Sequence, residues 1–281
     1  QLGPSGRRPF GIRTAARWQP AAMWSARVAK QEAMEPPPYE RLWRNRCRDR
    51  SCIRTSEDRE VGKCQCKGGC CLTSCLNAAM QIECSRKNCA CGADAGGLCG
   101  NRQFAAAEAG RLESLTEVFY TGAARGFGLR ARRPLEQGTL VAEYLGEVVP
   151  MTALESFQRA MEIRGGWVVD ASRAGGPARF ANHSCRPNCS AQRWAAAGEI
   201  RIGLFAERTI ASGEEVTFNY TGSGAAKPRG AFGRRGAPEP CSCGAPGCSG
   251  FIGLTPRAPP SRRSRSRGRP RSPGYPRRRG A

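Results

Sequence analysis

The chain has 281 residues, with 45 lysines and arginines against 23 acidic residues, a formal charge of +22, one histidine and 16 cysteines. Its length allows one or two domains with a real core, and its hydrophobic content of 40% excludes a wholly disordered chain. No apolar run approaches the roughly 20 residues of a membrane helix, so no membrane association is expected. The single histidine excludes multi-histidine metal sites, and the lack of a GxxxxGK[ST] loop excludes a standard phosphate-binding loop.

The two ends of the chain are basic. Residues 1–60 mix arginines with prolines and are predicted to be a basic, largely disordered tail. Residues 256–281 hold ten arginines and no acidic residue, which predicts a second disordered tail, rich in Arg, Ser and Pro. Such charge favours polyanions, so we expect the tails to bind DNA. Residues 267–271, RGRPR, resemble an AT-hook that inserts arginines into the minor groove; a plain targeting or phosphate-binding tail is the alternative.

Most of the cysteines fall into two groups. The first lies within residues 64–99 and the second within residues 241–248. A disulfide-rich secreted protein is also dense in cysteine, but Cys-x-Cys occurs in both groups, and cysteines so close in sequence bridge each other poorly. The basic tails suit a reducing nuclear interior. Tetrahedral thiolate sites for zinc are therefore predicted. The first group, residues 61–104, contains too few large apolar residues to fold without metal.

Between the two groups the sequence predicts β-structure. Runs rich in β-branched and aromatic residues, bounded by Gly and Pro, predict four strands, at residues 139–149, 166–170, 199–206 and 214–220. One helix is predicted at residues 152–163. Thr152 and Glu155 have capping-box spacing, and Leu154, Phe157 and Met161 form an apolar stripe.

Five motifs occur in a fixed order and carry a resemblance. They are ARGFGLRA (124–131), EYLGEVV (143–149), ARFANHSCRPNC (178–189), EVTFNY (215–220) and CSCGAPGC (241–248). This set resembles the SET-domain protein lysine methyltransferases. The leading cysteine group resembles their AWS zinc module, and the order AWS, SET, post-SET resembles the branch that methylates lysine 36 of histone H3.

The resemblance implies a fold and a division of the chain. The fold would be mainly β with short helices, with the knot-like C-terminal threading of SET domains, flanked by two zinc-cysteine modules. The implied division is a tail at 1–60, the AWS module at 61–104, the SET domain at 105–225, a linker at 226–238, the post-SET module at 239–255 and the second tail at 256–281.

The resemblance also implies S-adenosylmethionine as the methyl donor and names the residues around it. The matching cofactor-binding residues would be Arg125, Gly126, Phe127, Asn182, His183 and Ser242. Tyr220 matches the catalytic tyrosine of the family and Tyr144 a second active-site tyrosine. Arg179 and Phe180 are expected to be structural.

Three zinc ions are implied. In the family the NHSC cysteine, here Cys185, completes the post-SET site; Cys189 is expected to be a buried thiol. The post-SET ligands would be Cys185, Cys241, Cys243 and Cys248. One AWS ion would take Cys64, Cys66, Cys71 and Cys75, and the other Cys71, Cys84, Cys89 and Cys99. Cys70 in place of Cys71, and Cys91 in place of Cys99, remain open.

The implied activity is transfer of methyl groups to a histone lysine, lysine 36 of histone H3, by a monomer that binds the histone H3 tail and the nucleosome in the nucleus. One departure supports an alternative. The segment between Val149 and Trp167 is shorter than the family pattern, and no tyrosine lies between Tyr144 and Tyr220. The alternative is a catalytically weakened, zinc-containing chromatin-binding protein.

Overall fold

The computed structural model describes residues 34–55, 62–66, 75–91, 99–156, 158–221 and 239–252. Within these ranges the protein is mainly β with short helices, as predicted. The strands are β1 (Glu40–Arg41), β2 (Arg46–Cys47), β3 (Thr116–Gly122), β4 (Gly126–Ala131), β5 (Leu140–Glu143), β6 (Glu147–Pro150), β7 (Ala160–Arg164), β8 (Trp167–Asp170), β9 (Ala174–Gly175), β10 (Asn182–His183), β11 (Cys189–Ala196), β12 (Glu199–Ala206) and β13 (Glu215–Phe218). The helices are α1 (Leu76–Ala79) and α2 (Gln103–Glu108), with 3₁₀ turns at Arg50–Cys52, Met151–Ala153 and Pro177–Phe180.

The strands form three sheets. The largest has the order β3-β4-β13-β11-β12-β5, and β10 also pairs with β13 in parallel. A second sheet has the order β2-β6-β8-β7, and β1 pairs with β9 alone. Since β10 lies against β13, the NHSC motif and the segment that leads to Tyr220 are neighbours although they are far apart in sequence.

The largest apolar cluster among the described residues contains side chains from both of the larger sheets. Leu129, Val141, Val169, Ile202 and Val216 are all fully buried in it. These side chains come from β4, β5, β8, β12 and β13, so each strand contributes one apolar face. The sheets that carry the sequence motifs are therefore held together by one core.

The predicted strand at residues 139–149 is divided into β5 and β6. A β-carbon on Gly146, between the two strands, would lie 2.3 Å from the Asp170 carbonyl oxygen. Only glycine allows the backbone to come so close at this point, where the chain passes from the large sheet to the second sheet. The other three predicted strands are present as β8, β12 and β13.

The predicted helix at residues 152–163 was wrong. After a 3₁₀ turn the chain forms β7, which pairs with β8 through the two-residue turn Gly165-Gly166. Both turn glycines have positive φ, at 49° and 84°, as a tight hairpin requires. Met161 and Ile163 are buried on one face of β7, which is the period-two pattern of a strand.

The prediction of a largely disordered segment at residues 1–60 was wrong for its last part. β1 and β2 pair with β9 and β6, and Ile53 is fully buried in the main core. The Asn45 side chain also accepts a hydrogen bond from the Gly146 N–H at 3.1 Å. Residues 40–54 thus form part of the folded domain.

The first cysteine module packs on the large sheet through backbone hydrogen bonds. The Glu83 N–H donates to the Ala195 carbonyl at 2.8 Å, and the Ala195 N–H donates to the Gln81 carbonyl at 2.9 Å. The Glu83 carboxylate accepts hydrogen bonds from two backbone N–H groups in the first turn of α2, those of Phe104 and Ala105. The module is therefore fixed to the outer end of β11.

Several predictions lie outside the described residues. They concern residues 1–33, the linker at 226–238, the tail at 256–281 with its RGRPR segment, Cys70, Cys71 and Phe157. The domain boundaries and the knot-like threading stay predictions. Among the described residues, no helix has the length and hydropathy needed to cross a membrane.

Candidate active site and metal centres

A cavity of about 430 Å³ lies where β4, β10 and the end of β13 meet. Six of the eight predicted catalytic and cofactor-binding residues line it: Arg125, Gly126, Phe127, Tyr144, Asn182 and Tyr220. Phe180 and Phe218 add two further aromatic rings. Its volume lies within the range of roughly 300–1,000 Å³ typical of ligand pockets, so residues from four separate motifs line one cavity of a size that suits a small molecule.

The two tyrosine hydroxyls are anchored to backbone carbonyls. The Tyr144 hydroxyl donates to the Arg159 carbonyl at 2.8 Å, and the Tyr220 hydroxyl donates to the Ala181 carbonyl at 3.0 Å. Burial raises the pKa of Tyr144, and it raises the pKa of Tyr220 to about 12, although the Arg159 charge opposes both shifts. Both hydroxyls therefore keep their protons at neutral pH.

A polar network shapes the other side of the cavity. The Asn182 amide donates to Glu215 at 2.9 Å, and Arg125 donates to the other oxygen of the same carboxylate at 2.8 Å. A β-carbon on Gly128 would lie 2.5 Å from Thr121 and 2.9 Å from Glu215, so glycine is needed where these strands meet. The network fixes the side chains of Arg125 and Asn182.

The second cysteine group is complete and compact. The sulfurs of Cys185, Cys241, Cys243 and Cys248 all lie within 4.8 Å of one another. The Cys185 sulfur is 3.9 Å from that of Cys241 and 3.6 Å from that of Cys248. Zinc–sulfur bonds of 2.3 Å in a tetrahedron place sulfurs about 3.8 Å apart, so the four predicted ligands fit one zinc ion.

His183 connects this cysteine group to Tyr220. Its Nε2 lies 3.5 Å from the Cys185 sulfur, and its Nδ1 accepts a hydrogen bond from the Tyr220 N–H at 3.2 Å. The His183 and Tyr220 rings also meet edge to face, with centroids 5.3 Å apart. His183 does not line the cavity; it contacts Tyr220 instead. Ser242 is exposed and does not line the cavity either.

The described cysteines of the first module form three groups of sulfurs within 4.8 Å. They are Cys64, Cys66 and Cys75; Cys84, Cys89 and Cys99; and Cys64, Cys89 and Cys91. The first two correspond to the two predicted zinc sites without Cys71. The third was not predicted. The Asn77 and Asn101 amides donate to the Cys84 sulfur at 3.4 and 3.3 Å. Burial raises the pKa of the Cys84 thiol, and these two hydrogen bonds oppose that shift.

Cys189 is fully buried and belongs to none of these groups. Burial raises the pKa of its thiol to about 12. The expected buried thiol is thus confirmed.

Two arginines in the cavity wall were not predicted as site residues. Arg159 lines the cavity beside both tyrosines. Arg179 was expected to be structural, and its Nε and one Nη do donate to the carbonyls of Ala171 and Ser172. Its other Nη, however, is buried without a hydrogen-bond partner among the described residues. Arg159 lies outside every recognised motif, so no sequence signal indicated that it lines the cavity. Its position beside the β7–β8 hairpin in the structure shows this.

The cavity fits S-adenosylmethionine in its chemistry. Aromatic faces from Phe127, Phe180 and Tyr220 suit an adenine ring and a sulfonium cation. The buried nitrogen of Arg179 lacks an acceptor, which a ligand oxygen would supply. The residues present thus provide both the apolar and the polar contacts that this cofactor needs.

The SET domain family matches residues 126–221 of the chain. This range contains the cavity strands, the NHSC motif and Tyr220. The chain therefore contains a SET domain, as the motifs predicted.

Individual relatives extend the similarity. The chain is 34% identical over 245 residues to histone-lysine N-methyltransferase NSD3 of Mus musculus, covering 82% of this chain and 16% of that protein. It is 34% identical over 246 residues to the H3 lysine-36 specific histone-lysine N-methyltransferase of Homo sapiens, covering 80% and 8%. It is 37% identical over 205 residues to histone-lysine N-methyltransferase ash1 of Drosophila melanogaster, covering 68% and 8%. The chain thus spans less than a fifth of the length of these three relatives.

Proposed function

We propose that this protein transfers methyl groups from S-adenosylmethionine to a lysine side chain of a histone, lysine 36 of histone H3. The observation that carries the proposal is the cavity that holds the hydroxyls of Tyr144 and Tyr220 beside the Arg125–Asn182 network. The names of the relatives support the histone substrate. The proposal includes action as a monomer on nucleosomes in the nucleus, with the basic tails on DNA.

The main chemical task of the chain is to present a neutral amine. A free lysine has a pKa near 10.4, so its deprotonation at pH 7 costs about 4–5 kcal/mol. The guanidinium groups of Arg159 and Arg179 lie in the cavity wall and disfavour the charged form of a lysine there, which lowers this cost. S-adenosylmethionine, when bound, supplies a methyl group activated by a sulfonium charge.

The chain also orients the amine. The hydroxyls of Tyr144 and Tyr220 stay protonated and are fixed by carbonyl acceptors, so their oxygens retain lone pairs for an amine N–H. The carbonyls of Arg159 and Ala181 add acceptors beside them. Alignment of this kind, rather than a strong base, supplies the rate enhancement.

The test is a methylation assay on recombinant nucleosomes with a radiolabelled donor. We expect label on histone H3 when lysine 36 is intact and none when lysine 36 is replaced by arginine. Tyr220→Phe removes one cavity hydroxyl and is expected to lower the rate at saturating donor about 100-fold, a loss typical of one preorganised hydrogen-bonding group.

Tyr120→Phe is the matched control. Tyr120 packs against Phe127 with centroids 5.4 Å apart but does not line the cavity, so this variant loses the same atom outside the site. We expect it to retain activity within about twofold. A wild-type chain that binds the donor yet labels no histone would rule the proposal out.

A second candidate function is chromatin binding by a catalytically weakened protein. The observation that favours it is the segment between β6 and β8, which is shorter than the family pattern. In the structure this segment forms the first strand of the β7–β8 hairpin, and Arg159 next to it lines the cavity. Calorimetry with the donor separates the two candidates. Absence of donor binding, together with retained nucleosome binding, would favour the second.

A further inference from the structure

Two guanidinium groups in the cavity wall have no carboxylate to balance them. Arg125 forms a salt bridge with Glu215 at 2.8 Å. Arg159 and Arg179 also line the cavity, but neither forms a salt bridge within the described residues. Glu239 is the one acidic residue in the described part of the lining, and it is exposed. The cavity therefore carries two positive charges that no salt bridge of the described chain neutralises.

The contacts of Arg179 hold its guanidinium group in one orientation. The ring centroids of Tyr39 and Phe180 lie 4.6 and 5.0 Å from its central carbon. Its Nε and one Nη donate to the carbonyls of Ala171 and Ser172, both at 2.8 Å. The residue is 7% exposed, and its other Nη is buried without a hydrogen-bond partner among the described residues. Because a buried charged donor without an acceptor is costly, this nitrogen calls for an acceptor from outside the chain.

Arg159 brings the second charge to the same cavity. Its carbonyl accepts hydrogen bonds from the Tyr144 hydroxyl at 2.8 Å and from the Ala171 N–H at 2.9 Å, so its backbone is fixed. Burial lowers the pKa of Arg179, and the charge of Arg159 lowers it further. The two cations therefore lie close enough to repel each other, and an anion bound to both would offset that repulsion.

Planar guanidinium groups donate paired hydrogen bonds that match the oxygens of carboxylate, phosphate and sulfate groups. We propose that Arg159 and Arg179 form a binding site for a small oxyanion, in the same cavity as the hydroxyls of Tyr144 and Tyr220. Two sources can supply this group: the carboxylate of S-adenosylmethionine, whose binding here rests on the proposed function, or a free anion in solution. A free anion would also neutralise the charges that favour a deprotonated lysine amine, so it would inhibit methyl transfer.

The first test measures sulfate binding by the zinc-loaded full chain, with neither donor nor histone present. Sulfate is titrated into a chloride buffer at constant ionic strength, and binding is followed as the change in melting temperature. A ligand that binds only the folded state raises the melting temperature in proportion to its occupancy. We expect a saturable rise of about 3–6 °C at ten times the Kd.

Variants of Arg159 show whether the sulfate binds in the cavity. Arg159→Gln removes one charge but keeps the backbone carbonyl that Tyr144 and Ala171 contact, so it should fold and bind sulfate at least tenfold more weakly. Arg159→Lys keeps the charge and should bind within about threefold of wild type. Arg193→Gln is the matched control, because Arg193 is an exposed arginine outside the cavity. No saturable effect of sulfate on wild type, or wild-type binding by Arg159→Gln, would overturn the proposal.

A second experiment separates the two sources of the oxyanion. The donor Kd is measured by calorimetry with and without saturating sulfate. A donor Kd that rises at least tenfold, both with sulfate and in Arg159→Gln, assigns the site to the donor carboxylate. An unchanged donor Kd, with methyl transfer inhibited by sulfate, assigns it to a free anion. The sulfate titration of the donor-free chain does not depend on methyl transfer, so failure of the proposed function would not be mistaken for failure of the oxyanion site.

Discussion

Replacement of His183 by phenylalanine tests how the metal centre supports the active site. The change keeps an aromatic ring beside Tyr220 but removes both nitrogens, one of which accepts the Tyr220 N–H at 3.2 Å while the other faces the Cys185 sulfur at 3.5 Å. If His183 positions Tyr220, the variant must lose activity while the fold and the bound metal persist.

The expected size follows from the contacts. An N–H that loses its acceptor in a partly buried place costs about 1–3 kcal/mol, and the ring contact contributes about 0.5–1.5 kcal/mol. We therefore expect a stability loss of about 1–3 kcal/mol for His183→Phe and about 2–4 kcal/mol for His183→Ala. A shift of about 1 Å in the Tyr220 hydroxyl corresponds to a rate loss of up to about 100-fold.

The assay measures kcat at saturating donor, the donor Kd, and the zinc content of each variant. Asn219→Ala is the control, since the Asn219 side chain bonds only to neighbouring Thr221 in the described structure. We expect His183→Phe to lower kcat at least tenfold with its zinc content unchanged. A His183→Phe protein with kcat within twofold of wild type would refute the positioning role.

Three further predictions concern stability. Arg201 and Glu143 form a buried ion pair, with the Arg201 Nε 2.7 Å from the carboxylate. In urea unfolding, Glu143→Gln should lower the free energy of unfolding by about 3–5 kcal/mol, because it leaves a buried charge unpaired, whereas the double variant Arg201→Met with Glu143→Leu should lower it much less. Equal losses in the two variants would contradict this. The Arg208 guanidinium holds the pKa of Glu214 at about 2, below its ordinary 4.5. Because the pKa of Glu214 is lowered in the folded state, its ionised form should stabilise the fold by about 2 kcal/mol, a figure discounted for partial exposure. This stability is present above pH 4.5 and is lost as the pH falls toward 2. Parallel curves of unfolding free energy for wild type and Glu214→Gln between pH 6 and 3 would disprove it. Gly146→Ala should unfold at a lower temperature than wild type, as its β-carbon would overlap a backbone carbonyl, and an unchanged Tm would contradict that close approach.

Strands were predicted correctly where the residues of the strand itself carry the signal. The segment that became β12 is rich in β-branched and aromatic residues, and it forms a strand with the predicted bounds. A helix was wrongly predicted at residues 152–163, because the prediction relied on a capping-box spacing and an apolar stripe and did not consider Gly165-Gly166. That glycine pair, between two short alternating runs, was the signal for a hairpin. Pairing of β7 with β8 then decided the structure, which a local pattern does not reveal.

Long-range contacts account for the other differences. Ile53 lies in a segment of high charge, and only its burial beneath β12 shows that this segment belongs to the domain. Arg159 likewise enters the site because the hairpin places it there. By contrast, the convergence of Cys185 with Cys241, Cys243 and Cys248 was implied by the resemblance to the SET-domain methyltransferases, and the sulfurs of these four cysteines do lie together.

The most direct test of the central claim is donor affinity in Cys185→Ser compared with wild type, measured by calorimetry together with zinc content. Cys185 joins the second cysteine group to His183, and His183 holds Tyr220 at the cavity. We expect the variant to lose one zinc ion and to bind S-adenosylmethionine at least tenfold more weakly. Donor binding of wild-type strength in a variant that has lost this ion would contradict the coupling between metal and active site.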